Sequence, residues 1–337
     1  SDYRVVVFGV TPGEVAQLIA DRTYVTHDGT DVANADELAT HVGLARTMRE
    51  FGMRRTISFH HRVKRAGIFA TRFQSVANWL PEDQRPDAPV WTAMEYRYMP
   101  PIARLLDEVR SQEACGSAVM LSIREHRYPF LTKVGDWNRF SARTGGTLVE
   151  KCCHFWDLMR LTLESDPVRV YASAAADVNH RDERYDGKKP DIIDNAFVTV
   201  EFENGARGML DLCMFAEGSY WQEVISITGA EGRVDAKVPG PARFSVDGKE
   251  RASEIEISHR ASKEVVREEV EVDHSILAAG DHHGSTFFQH QRFKDLVQTG
   301  RGSPEVSLHD GLWSVIVGEA AEESARTGRA VDIRGAA

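Results

Sequence analysis

The feature that most restricts the fold is a hairpin signal in the second half of the chain. Residues 197–202, Phe-Val-Thr-Val-Glu-Phe, and residues 206–214 are strand-like runs flanking Asn204-Gly205. Both turn residues tolerate the positive φ that a tight two-residue turn demands. Strands dominate from residue 168 onward, with further runs at 223–228, 232–238 and 264–272. Hairpin-connected neighbours pair antiparallel, so these runs predict one large sheet. Two helical patterns, 285–299 and 308–327, close the chain. Strands grouped together, then helices, imply an α+β domain with a mostly antiparallel open sheet and helices on one face.

The first 90 residues obey a different pattern. Strand, helix, helix, strand and helix follow at residues 4–10, 14–21, 35–51, 55–59 and 62–79, and such alternation implies a short parallel sheet in an α/β lobe. The polar stretch Pro81-Glu82-Asp83-Gln84-Arg85-Pro86-Asp87 reads as an exposed link bounded by prolines. The boundary falls near residues 90–93. It divides a small, atypical, incomplete lobe over 1–91 from the α+β domain over 92–337. That domain opens with a helix over 100–113, a strand over 118–124 and a helix over about 147–163. Apolar residues at 148, 152, 155 and 159 give the last helix the stripe of a buried face.

The turn Gly9-Val10-Thr11-Pro12-Gly13 sits where a dinucleotide-binding loop would, between a strand and an amphipathic helix. The glycines of G-x-G-x-x-G serve the tight turn, the close approach to pyrophosphate and the packing of helix on strand. Here only two glycines stand, wrongly spaced, and Pro12 lacks the amide N–H that a phosphate requires at a helix start. The fingerprint is absent, and the phosphate loop G-x-x-x-x-G-K-[ST] occurs nowhere in the chain.

Among 337 residues, 41 basic and 51 acidic side chains give a formal net charge of −10. Residues 1–90 hold 11 of each, so the acidic excess lies wholly beyond them. Between Arg46 and Arg72 eight basic residues stand against Glu50 alone. That run could touch phosphates, but a solvated helix face is the commoner reading, and nucleic acid is not the expected partner. No run approaches the roughly 20 apolar residues of a membrane helix, and no signal-like opening is present. Cys115, Cys152, Cys153 and Cys213 show neither metal spacing nor a disulfide framework. A reduced, cytoplasmic protein without a metal is expected.

The densest chemistry lies in GGTLVEKCCHFWDLMR, residues 145–160. In a continuous helix Glu150, His154 and Asp157 stand at i, i+4 and i+7, along one face. A histidine beside a carboxylate is the simplest proton-transfer unit, because the carboxylate holds the tautomer and raises basicity. A lone helical histidine is also a common structural residue. The glycine pair ahead of it lets a helix start lie close to a ligand.

The stretches MEYRYMPP (94–101), REHRYPFLTKVGDWNRFSARTGGTLVEKCCHFWDLMR (124–160), ERYDGKKPDIIDNAFVTVEF (183–202) and HHGSTFFQHQRF (282–293) resemble the Gfo/Idh/MocA oxidoreductase family, over about residues 92–334. The resemblance implies an enzyme that uses NAD or NADP on a small-molecule sugar, inositol or related polyol. It also implies a C-terminal sheet that supplies substrate contacts and a homo-oligomer interface. By the same resemblance His154 accepts the hydroxyl proton during hydride transfer, and Glu150, where many members have Asp, orients or relays. Arg97 and Tyr98 would face the nicotinamide side. Lys133, Trp137 and Asn138 are candidate substrate contacts, a charged donor, an apolar platform and an amide that suit a polyhydroxylated ligand; His282 is a fourth.

Residues 3–91, with ISFHHRVKRA at 57–66, are similar instead to part of the second RecA-like lobe of a superfamily 2 helicase. The oxidoreductase family's Glu-Lys-Pro motif is absent, Lys64 being followed by Arg65. The front section therefore leaves two alternatives: a fusion of partial domains without turnover, and a nucleic-acid-associated, helicase-derived fragment. The acidic balance and missing ATP machinery count against the second.

Overall fold

The computed structural model describes residues 35–50, 91–277, 282–299 and 301–336. The strands expected at 4–10 and 55–59, the helices at 14–21 and 62–79, the turn from Gly9 to Gly13, the 81–87 link and residues 51–72 of the basic run lie outside the described residues. So does the parallel sheet expected of the front lobe. Helix α1, Ala35–Glu50, forms where the sequence pattern places it.

Beyond residue 90 the chain builds one nine-stranded sheet. Its strands are β1 Ala118–His126, β2 Pro167–Ala175, β3 Asn195–Phe202, β4 Arg207–Cys213, β5 Trp221–Gly229, β6 Gly232–Pro239, β7 Ser253–His259, β8 Val265–Val270 and β9 Val331–Asp332. Their order is β8-β7-β6-β5-β1-β4-β3-β2-β9. Every neighbouring pair is antiparallel except β1 with β4, so the mostly antiparallel open sheet is as expected. Helix α2, Pro100–Arg110, packs on β6 and β7; α3, Cys153–Leu163, on β1; and α5, Leu308–Thr327, on β2. Helix α4, Ser285–Thr299, packs instead on the helical turn Glu95–Tyr98.

Register explains the core. Ala172, Val198, Leu210, Ile123, Ile225, Ala236 and Ile255 are successive cross-strand partners from β2 to β7. All seven are buried, and they belong to one cluster with Ile102, Leu105, Phe155, Met159, Trp313 and Val317 from the helices. A row of this kind removes contiguous apolar surface from water, at about 25 cal/mol per Å².

Three local expectations differ from the structure. The turn after β3 is a three-residue loop, not a two-residue one. Gly205 N–H donates to Phe202 O at 2.9 Å and Phe202 N–H donates to Ala206 O at 3.1 Å. Only Gly205, at φ 82°, takes the left-handed conformation, the pattern of a type I turn followed by a bulge. The helix expected over 147–163 is broken: a turn Thr147–Glu150 ends at Lys151, and α3 restarts at Cys153 after Cys152 flattens to ψ −1°. The residues of its expected stripe, 148, 152, 155 and 159, are nonetheless all buried. Strand β7 was not anticipated, although Ser-Glu-Ile-Glu-Ile-Ser-His alternates with period two.

Candidate active site

The site is built around the break before α3. Gly145 and Gly146 stand at φ 89° and 102°, and the Leu148 N–H donates to Glu322 Oε1 of α5 at 2.8 Å. A Cβ at Gly146 would overlap that carboxylate. What the glycine pair admits here is therefore a carboxylate from α5, where the sequence suggested an external ligand. Thr147 adds a second anchor, its hydroxyl donating to Ile193 O at 2.6 Å. Burial pushes the Glu322 carboxyl up to about 7 against the lowering effect of the Leu148 N–H.

Beyond the turn the chain drives Lys151 inward. Its Nζ lies 2.9 Å from Glu125 Oε1 and donates to the Tyr96 hydroxyl at 2.6 Å. Glu125 is completely buried and directly faces Glu223 across β1 and β5. Opposed carboxylates on one face repel; Lys151 and Arg127, whose Nη1 is 3.4 Å from Glu125 Oε1, offset them. Gln222 Nε2 donates to Glu223 Oε1 at 2.7 Å. Burial first, and the Glu125 charge second, push Glu223 up to about 7.

His154 lies flat on Tyr96, with ring centroids 4.5 Å apart and planes within 3°. It is partly exposed, while its Nδ1 is buried and has no hydrogen-bond partner among the described residues. Burial, then the charges of Lys151, His282 and Arg127, hold the imidazole well below its ordinary range. It is thus neutral at physiological pH. Burial raises Glu150, against the pull of Lys133, Lys151 and Arg127.

The expected triplet on one helix face is divided. Asp157 is buried and holds Arg97 through two hydrogen bonds, so it locks the 95–98 turn onto α3. Arg97 also donates to Glu305 O at 2.9 Å, which makes it an anchor. Tyr98 is buried beneath Arg292 and beside Trp91. Asn138 is buried too, its amide donating to Leu131 O and accepting from Arg139, a loop-holding role. Lys133 is exposed, its Nζ 5.8 Å over the Trp137 ring.

His282 is brought close, its ring 5.0 Å from Tyr96. It also lines a cleft of about 190 Å³ with Tyr128, Gln222, Glu223, Arg243 and Arg251. Sequence reasoning missed Tyr96, Lys151, Glu125 and Glu223. One signal was available: Glu125 continues the period-two phase of Leu121 and Ile123, a charge in the buried phase of a strand. Among the described residues, no three His, Cys, Asp or Glu side chains are grouped to hold a metal ion, and no helix is long and apolar enough to cross a membrane.

Solved structures share this fold. An oxidoreductase from Agrobacterium radiobacter in complex with NAD+, L-tartaric acid and magnesium matches with TM-score 0.63 at 18% identity, covering 89% of this chain and 79% of that one. Levoglucosan dehydrogenase in complex with NADH matches with TM-score 0.59 at 18% identity, covering 87% and 77%. An aldose-aldose oxidoreductase from Caulobacter crescentus complexed with glycerol matches with TM-score 0.57 at 16% identity, covering 87% and 76%. No curated relative matches the chain in sequence. The helicase likeness of residues 3–91 finds no support in these comparisons. The model for the oxidoreductase family's C-terminal alpha/beta domain matches residues 111–333, and the chain belongs to the Gfo/Idh/MocA oxidoreductase family.

Proposed function

We propose that the chain is an NAD- or NADP-dependent oxidoreductase of a sugar, inositol or related polyol. The observation that carries this reading is His154, a neutral and partly exposed imidazole whose buried Nδ1 has no partner among the described residues, stacked on Tyr96, whose ring lies 5.0 Å from that of the cleft-lining His282. A neutral imidazole can take the substrate hydroxyl proton as the C–H bond is cleaved. The nicotinamide, when bound, supplies the hydride acceptor. The donor set fits that end of the cofactor, since it offers a proton acceptor and polar contacts. In this reading the 95–98 turn forms the wall on the nicotinamide side, with Arg97 holding it in place through Asp157. Glu150, Lys133 and Trp137 would then serve as substrate contacts, the exposed Lys133 amine lying against the Trp137 ring. Solved structures of the same fold that hold NAD+ or NADH support the cofactor class.

The sheet's open face supports self-association. Met120, Tyr171, Phe197 and Met209 project from it, with Phe197 63% exposed. Exposed apolar side chains gathered on one face suit an interaction surface, and a homo-oligomer would cover them. Phe197→Asp should then lower the mass measured by light scattering.

Titration with NADH and NADPH, followed by energy transfer from tryptophan, tests the reading. Saturation in the micromolar range, worth about −8 kcal/mol, is expected. His154→Ala should lower turnover by roughly 10²- to 10⁴-fold. Absence of binding at millimolar cofactor, or unchanged turnover in His154→Ala, would remove the proposal.

A further inference from the structure

We propose that Lys151 is a positioning residue for the reaction: held between the Glu125 carboxylate and the Tyr96 hydroxyl, it fixes the ring on which His154 lies and sets a buried positive charge beside that imidazole. The inference rests on the reading of His154 as proton acceptor. Its support is geometric. Lys151 is buried, yet its ammonium makes two short polar contacts and lies 4.8 Å from the centre of the Tyr96 ring, on its hydroxyl side, and 5.2 Å from that of Phe155. Lys151 lies between the 147–150 turn and α3, three residues before His154, a spacing that places neighbouring side chains on one helix face.

Burying an ammonium is costly unless it is paired and hydrogen-bonded. A solvent-facing lysine would serve the fold at no such cost. The surroundings are specific as well. Lys151 meets Glu125 and Arg127 from β1 and the residues after it, Glu223 from β5, and Glu95 and Tyr96 from the 95–98 turn. From its own segment it meets Glu150, Cys152 and Cys153. His154 is faced by Tyr96, Lys151, His282 and Arg127. Three of these four groups are cationic or can become so, and Lys151 is the one tied to the ring His154 rests on. The positive charge lowers the basicity of the imidazole and keeps it neutral in the resting enzyme, while the fixed ring holds the imidazole plane, and the loss of that orientation is what would lower turnover. The proton taken from substrate then arrives on an acceptor already neutral and oriented.

The test is the titration of His154 in the full chain, read by NMR on histidine-labelled protein, with His154→Ala assigning the resonance. In Lys151→Met the midpoint should move up toward the ordinary imidazole range. Lys151→Arg, which keeps the charge, should hold it low. In Lys151→Met, kcat at pH 7 should fall on the order of tenfold to a hundredfold with KM little changed. Should Lys151→Met fail to fold, the pair Lys151→Met with Glu125→Gln removes both charges together and answers the same question. An unmoved His154 midpoint in either folded variant would overturn the proposal. Because the NMR readout needs no turnover, that failure is distinct from loss of the oxidoreductase reading, which rests on cofactor binding and His154→Ala.

Discussion

Two adjacent rows cross the same face of the sheet and differ completely in chemistry. The row through Ile123 is apolar from Ala172 to Ile255. One pleat along, the row runs Ala174, Ala196, Leu212, Glu125, Glu223 and Val238. Its flanks are apolar and its centre is two opposed carboxylates. The first row holds the fold together by burial alone. The second gives up that burial to fix Lys151, and through it Tyr96, beneath His154. A purely apolar row and a row with a charged centre are thus separated by a single pleat, about 7 Å along the strands.

Breaking the charged row should have the largest effect. Glu125→Leu leaves Lys151 and Arg127 without their shared carboxylate, and one-sided loss of a buried pair costs about 3–5 kcal/mol, measurable by denaturant unfolding. Ile123→Ala in the apolar row should cost about 3 kcal/mol through the cavity it leaves, while kcat and KM of the folded enzyme stay near wild type. An equal loss of kcat in both variants would erase the distinction between the rows.

The anchor on α5 sharpens the comparison through pH. The Glu322 carboxyl rises from 4.5 to about 7 on folding, so the folded protein holds this proton more tightly than the unfolded chain. Its contribution is full below about 4.5 and is lost as pH rises through about 7, a change of about 3 kcal/mol. Glu322→Gln should flatten that part of the stability curve, recorded by urea midpoints between pH 5 and 8. The smallest effect is expected at the exposed pair Arg169–Glu201, 2.6 Å apart on the open face. Arg169→Ala should shift stability by less than about 1 kcal/mol.

Much of the fold was legible because its signals are local. Helix α5 begins at a capping box, in which Ser307 accepts from the Asp310 N–H and the Asp310 carboxylate accepts from the Ser307 N–H, and it ends at Gly328 in the left-handed region. The expected span 308–327 coincides with the observed one. The Asn204-Gly205 turn marked the β3–β4 hairpin, though its loop length was misjudged because Glu203 joins it. His154 and His282, both singled out in the sequence, come together around the Tyr96 ring. The contacts of Arg97 with Asp157 and Glu305 were not legible, because those partners lie 60 and 208 residues away; Tyr98 and Asn138 contact Trp91 and Leu131, nearer in the chain.

By itself, then, the sequence determined the class of sheet and the closing helices, since turn residues, caps and apolar periodicity act over a few residues. Only the tertiary structure decided that Glu125 opposes Glu223, that Lys151 turns inward onto Glu125 and Tyr96, and that Glu322 caps the glycine turn. The physical reason is register: which side chains meet across a sheet is set by the pairing of distant strands, and a one-residue slip would carry either glutamate to the other face.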